Sequence, residues 1–175
     1  MNRPKPDTKP VPACFSTLTV NTVTHGDPLV DSLFDRLAAE YDSRYETDTS
    51  RQELVDYGTT CFMPPDGIFV IVAEGSTPVV SGAIRRRYSH IAEVKRMWTH
   101  PDWRRRGLAA WMLTTLEDHA ARLGYTEIYL STGPRQPEAA AFYVKNGYRR
   151  LSRPHAGDLA TQLAFSKPLK ARDAR

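Results

Sequence analysis

Cysteine is scarce in this 175-residue chain, with only Cys14 and Cys61. They lie far apart and near no histidine pair, so no cysteine-based metal site is expected. Nothing signals secretion, which makes free thiols in a reducing cytoplasm the expectation. No apolar run approaches the roughly 20 residues that cross a bilayer. A membrane partner is therefore not expected, and the expected location is cytoplasmic. There is no H-E-x-x-H pair and no serine in a G-x-S-x-G elbow, so metalloprotease and hydrolase chemistry lack support. The five histidines are scattered. His25, His90 and His100 fall at expected turns, His155 in a loop, and His119 on a helix flank opposite the apolar stripe. All five are expected to be exposed. Internal repeats and a second domain are also missing.

The remaining composition is ordinary. Hydrophobic residues make up 41% and charged residues 25%, which suits one globular domain, placed at 13–167. Met1 to Pro12 is rich in Pro and Lys, lacks the apolar stretch of a signal peptide and is expected to be a disordered lead-in. Residues 168–175 are expected to form a short basic tail. The net charge of +4 is carried partly by three clusters, Arg85 to Arg87, Arg104 to Arg106 and Arg149-Arg150. The first and third are expected to be solvated surface. A nucleic-acid partner has no groove-reading motif behind it.

Periodicity predicts a first strand over Phe15 to Val20. An amphipathic helix capped by Asp27-Pro28 should follow and fade near Tyr41. Glu40 to Arg51 reads as a loop, with a short helix from Gln52 to Tyr57. Strands are expected over Gly67 to Ala73, Pro78 to Arg87 and Ile91 to Thr99. The clearest helix runs from Arg105 to about Leu123, with Leu108, Met112, Leu113, Leu116, Ala120 and Leu123 on its apolar stripe and Gly124 closing it. A strand over Glu127 to Ser131, a helix from Pro137 to about Lys145, and strands over Tyr148 to Leu151 and Thr161 to Ser166 complete the pattern. The fold class is α/β: a mixed, largely antiparallel sheet with a central parallel βαβ unit over Ile91 to Ser131 and flanking helices.

One segment carries most of the functional signal. Ala92 to Ala109 reads as a strand, a turn marked by Pro101, a cationic loop and a helix start. In the loop, Arg-x-x-Gly-x-Ala spans Arg104 through Gly107 to Ala109. Gly107 lets a ligand approach the backbone closely. The helix N-terminus offers unpaired N–H groups and a positive dipole end to the same spot. With Arg104, Arg105 and Arg106 alongside, an anion bearing several phosphate oxygens would fit.

This loop resembles the acyl-coenzyme A motif of the GNAT superfamily, the Gcn5-related N-acetyltransferases. Ser131-Thr132-Gly133-Pro134-Arg135-Gln136-Pro137-Glu138-Ala139 and Phe142-Tyr143-Val144-Lys145-Asn146-Gly147-Tyr148 resemble that family's second conserved block. Ala109 stands where Gly is commoner. The resemblance implies an N-acetyltransferase that moves an acetyl group from acetyl-coenzyme A, as co-substrate, to an amine attacking directly in a ternary complex. It implies coenzyme contacts from Met97, Trp98, Thr99, Arg104, Arg105, Arg106, Gly107, Leu108, Ala109, Thr132, Gln136 and Tyr143, and no metal. Backbone amides of Met97 to Thr99 would polarise the thioester carbonyl.

Two side chains are implied in proton transfer. Glu93 is the candidate base for the amine, and Tyr143 the candidate acid for the coenzyme thiolate. Each has a plainer alternative. Lys95 lies two residues beyond Glu93 on the same strand face, and pairing the two would make Glu93 structural. Tyr143 could be a core aromatic. Acceptor choice is expected from Tyr41 to Tyr57, where Glu40, Asp42, Glu46 and Asp48 could attract a cationic amine. The acceptor, a small molecule or a peptide amine, is left open, as is a homodimer. The alternative function is an acyl-coenzyme A-binding sensor with little catalysis.

Overall fold

The computed structural model describes residues 10–24, 26–57 and 60–170. His25, and the outer parts of both expected tails, lie outside the described residues. A seven-stranded sheet in the order β1-β2-β3-β4-β5-β7-β6 forms the centre. Its strands are β1 (Thr19–Thr22), β2 (Ile68–Glu74), β3 (Thr77–Tyr88), β4 (Ile91–Thr99), β5 (Glu127–Thr132), β6 (Arg149–Arg150) and β7 (Leu163–Pro168). Among the described residues, only β4 and β5 run parallel; every other neighbouring pair is antiparallel. The expected mixed α/β sheet with a central parallel unit is what the chain forms.

Among the described residues, four helices flank the sheet: α1 (Pro28–Tyr45), α2 (Ser50–Tyr57), α3 (Leu108–Arg122) and α4 (Pro137–Lys145). The apolar stripe of α3 packs with Val80, Ile84, Val94, Ile128 and Leu130 in one core. On the opposite face, Leu33, Phe34 and Leu37 of α1 pack with Phe69, Ile71, Ala83 and Trp98 in a second. The alternation of β3 and β4 thus feeds two cores, one on each side of the sheet.

Three expectations need correction. Ala13–Phe15 forms a 3-10 turn, and the first strand begins only at Thr19. The Phe15 to Val20 alternation reflects burial of Phe15 and Leu18 beside a turn in which Leu18 N–H bonds the Phe15 carbonyl. Helix α1 does not fade at Tyr41 but continues to Tyr45, ending on Glu46 in the left-handed region. Its extra turn is held by the i,i+4 pair of Glu40 and Arg44. Pro10 accepts a hydrogen bond from the Trp111 indole, and β7 runs through Lys167 to Pro168.

His119 is the third correction. It is buried, 8% exposed, because it sits one turn after Thr115 on the inner flank of α3, where both are buried. Burial, helped by the nearby Arg122 charge, lowers its pKa to about 4. A histidine with a depressed folded-state pKa stabilises the fold fully above its unfolded value near 6.5, and that stability is lost as pH falls toward 4. The melting temperature should drop by several degrees between pH 6.5 and 4. His119→Gln should remove most of that slope in a pH series of thermal denaturation curves.

Candidate active site

The site originates in a defect of β4. Pairing of β4 with β5 ends at Val94 and Leu130, although β4 continues to Thr99. Opposite β3 the register slips between Ser81 and Ala83, so that Arg96 and Met97 together face Gly82. Arg96 takes a positive φ of 57°, and the Ser81 hydroxyl holds its carbonyl at 2.7 Å. This is a β-bulge, which bends its strand away from a neighbour. Gly82 leaves room there: a Cβ would lie 2.7 Å from Leu116 Cδ1 and 2.9 Å from Met97 Sδ, and both side-chain ends would have to shift. The bend leaves the β5-facing edge of Met97 to Thr99 open to a ligand.

The chain then makes the 3-10 turn Pro101–Trp103 and enters the cationic loop. Arg105 and Gly107 both have positive φ, 60° and 89°. Gly107 is the N-cap of α3 and supplies no side-chain cap. The first amides of α3 therefore have no partner within their own helix. A Cβ built on Gly107 meets no atom within 4 Å, so open space lies against the backbone. These features suit a pyrophosphate.

The loop and α4 open onto one cavity of about 950 Å³. Ten of the residues expected at the coenzyme line it: Met97, Trp98, Thr99, Arg104, Arg105, Gly107, Leu108, Ala109, Gln136 and Tyr143. Arg106 and Thr132 do not. The Arg106 guanidinium lies over the Trp103 ring, and Thr132 is buried with its hydroxyl on Gln136 Oε1 at 3.1 Å. Thr132 thus orients a lining residue.

Tyr143 projects from α4 and is 7% exposed. Its ring packs against Phe142, Tyr148 and Phe165. Burial, with a smaller contribution from neighbouring Tyr41, raises its pKa far above that of a free phenol. The hydroxyl therefore keeps its proton across the physiological range.

Glu93 is placed differently. It does not line the cavity. It is fully buried, with Arg85 at 2.6 Å, Lys95 at 2.9 Å and Arg87 at 3.4 Å. Burial works to raise its pKa, but Lys95 and Arg85 outweigh it and hold the carboxyl below its ordinary value. Arg85 stands directly across from Glu93 in the β3–β4 register, and Arg87 follows on the same face. The first arginine cluster, expected as solvated surface, is thus in part the counter-charge of one carboxylate. Arg87 also holds Asp158, which accepts from the Tyr129 hydroxyl, and so ties the segment before β7 to the sheet.

Glu93→Gln should lower stability by about 3 kcal/mol, the low end of what breaking a buried ion pair costs. The depressed pKa sets the sign of the pH effect. The carboxylate stabilises the fold above its unfolded value near 4.5 and ceases to do so as pH falls through the lower folded value. The gap in melting temperature between wild type and variant should therefore be widest near neutral pH and close in acid. A gap that persists undiminished in acid would contradict this.

Of the lining residues from α1, the sequence reading missed Leu37, placed Tyr41 and Arg44 only within the acceptor stretch Tyr41 to Tyr57, and named Glu40 only as a charge that could attract a cationic amine. Trp103 and Asn146 were also missed. For α1 the signal was present. Leu37 and Tyr41 are four residues apart, as are Glu40 and Arg44, which puts each pair on one side of a helix. Glu40 accepts from the Trp98 indole at 3.0 Å and from Arg104 at 2.7 Å.

Comparison with known proteins gives the family. The model of the acetyltransferase (GNAT) family matches residues 30–148. A protein of Azospirillum brasilense named IAA acetyltransferase is 32% identical over 131 residues, which cover 73% of this chain and 83% of that protein. A GNAT-family acetyltransferase of Staphylococcus aureus superposes with a TM-score of 0.73 at 16% identity, over 87% of this chain and 100% of that one. An N-acetyltransferase of Thermoplasma acidophilum, solved with coenzyme A, gives 0.69 at 14% identity over 86% and 98%. The splayed strands, the arginine–glycine loop and the family match together make this chain a member of the GNAT acetyltransferase family.

Proposed function

We propose that this protein is an acetyl-coenzyme A-dependent N-acetyltransferase acting by direct attack in a ternary complex. The observation that carries the reading is that the phosphate loop, the open backbone of Met97 to Thr99 and Tyr143 all line one cavity. The amides of Arg105 to Ala109 and the N-terminus of α3 hold the pyrophosphate. The amides of Met97 to Thr99 polarise the thioester carbonyl and stabilise the developing oxyanion. Tyr143 donates its proton to the departing thiolate and recovers one from solvent. The amine enters as an ammonium, loses one proton before attack and a second when the amide forms. The net products are the acetamide, free coenzyme A thiol and one released proton. Neither cysteine lines the cavity, which supports transfer without an acyl-enzyme.

Glu93, in this reading, serves structure. Its buried ion pairs and its place outside the cavity lining favour that role over base catalysis.

The test is an acetyl-transfer assay over a panel of small amines, amino acids, antibiotic amines and peptides. At least one amine should gain the mass of an acetyl group while coenzyme A accumulates. Tight coenzyme binding with no turnover across the panel would favour the sensor alternative.

A further inference from the structure

Helix α1 straps both lips of the cavity through a chain of charges. Arg104 of the phosphate loop donates to Glu40 Oε2 at 2.7 Å. Glu40 Oε1 accepts from Arg44 at 2.9 Å, and Arg44 pairs in turn with Glu138 at the start of α4. Arg104, Glu40, Arg44 and Glu138 all line the cavity. The alternation is balanced, two arginines against two carboxylates. Arg104 is also a cation of the loop that would face a pyrophosphate, so it has two competing anionic partners. If the pyrophosphate draws Arg104 away, Arg44 alone faces two carboxylates and the strip carries one net negative charge. That charge sits beside Trp98, whose indole donates to Glu40 at 3.0 Å and whose backbone belongs to the open strand end.

Resting on the coenzyme reading above, we propose that Glu40 determines acceptor specificity. It is the carboxylate that receives the acceptor's ammonium group, and coenzyme binding at Arg104 makes it available. The substrate class is then a cationic amine whose carbon skeleton lies against the apolar wall of Leu37, Tyr41 and Trp98. Since the coenzyme frees the ammonium site, it binds first, and each ligand raises the affinity for the other.

Two measurements test this. The first titrates coenzyme A into wild type and Glu40→Gln. Removing the competitor for Arg104 should tighten coenzyme A binding about threefold or more. A Glu40 that merely braces Arg104 for the phosphate predicts weaker or unchanged binding, and either result overturns the proposal.

The second uses the unmodified protein, so it does not depend on the variant folding. It compares benzylammonium with benzyl alcohol, which matches its shape without the charge. With coenzyme A bound, benzylammonium should bind at least about tenfold more tightly than the alcohol, the share expected of a charge-assisted contact. Without coenzyme A the preference should largely vanish. Equal binding of the two to the loaded protein, or a preference independent of coenzyme A, overturns the proposal. A wild-type protein that fails to bind coenzyme A at all would instead defeat the coenzyme reading on which this one rests.

Discussion

Replacing Gly107 with valine is expected to weaken acetyl-coenzyme A binding about a hundredfold while leaving the fold intact. Gly107 has a φ of 89°, a region that β-branched residues avoid. Holding valine there would cost about 1–3 kcal/mol, so the loop should relax and misalign the amides before α3. The isopropyl group would also stand where the pyrophosphate approaches. Each 1.4 kcal/mol is a factor of ten in affinity, and the two effects together should reach about two such factors. The fold survives because an added Cβ meets no protein atom within 4 Å. Gly107→Ala shares the backbone problem with less bulk and should fall between valine and wild type. Calorimetric titration of the three proteins, each checked for a single cooperative unfolding transition well above the assay temperature, decides the matter. A folded valine variant that binds normally would mean that the coenzyme does not sit on this backbone.

Tyr143→Phe should reduce the maximal rate roughly 10²-fold, within the range attributed to acid–base catalysis, with little change in coenzyme affinity. The ring is retained, so its packing against Phe142, Tyr148 and Phe165 survives and the melting temperature should barely move. Only the proton for the thiolate is lost. Because burial holds the phenol protonated far above the ordinary tyrosine range, the deficit should be uniform from about pH 6 to 9. The measurement is single-turnover transfer, where chemistry sets the rate. An undiminished rate there would make Tyr143 a packing residue.

Much of this architecture was legible in the sequence because local chemistry and global fold agree. β4 matches its expected span of Ile91 to Thr99. Asp27 caps α1 through Leu29 N–H at 2.9 Å, as the Asp-Pro pair indicates. Gly107 is legible as a close-approach position and proves to need positive φ. What escaped depends on contacts between segments distant in the chain. Helix α1 outlasts its apolar stripe because its local Glu40–Arg44 pair is backed by bonds from Arg44 to Glu138 and to the Arg135 carbonyl, partners about ninety residues away. The bulge at Arg96 has no turn residue to announce it, being set by Ser81 and by the missing side chain of Gly82. The environment of Glu93 shows the same limit. Lys95 was visible at two residues' distance, whereas Arg85 and Arg87 reach it only once β3 pairs with β4.

The central claim, that acetyl-coenzyme A lies between the phosphate loop and α4 with its thioester at the end of β4, is tested most directly by hydrogen exchange. Peptide-resolved exchange of the wild-type chain would be followed with and without saturating acetyl-coenzyme A. Protection should appear at Met97 to Thr99, at Arg104 to Ala110 and along 137–146. It should be absent from Ile68–Glu74, in the sheet interior away from the cavity. Saturable binding that leaves the Arg104 to Ala110 segment unprotected would contradict the account.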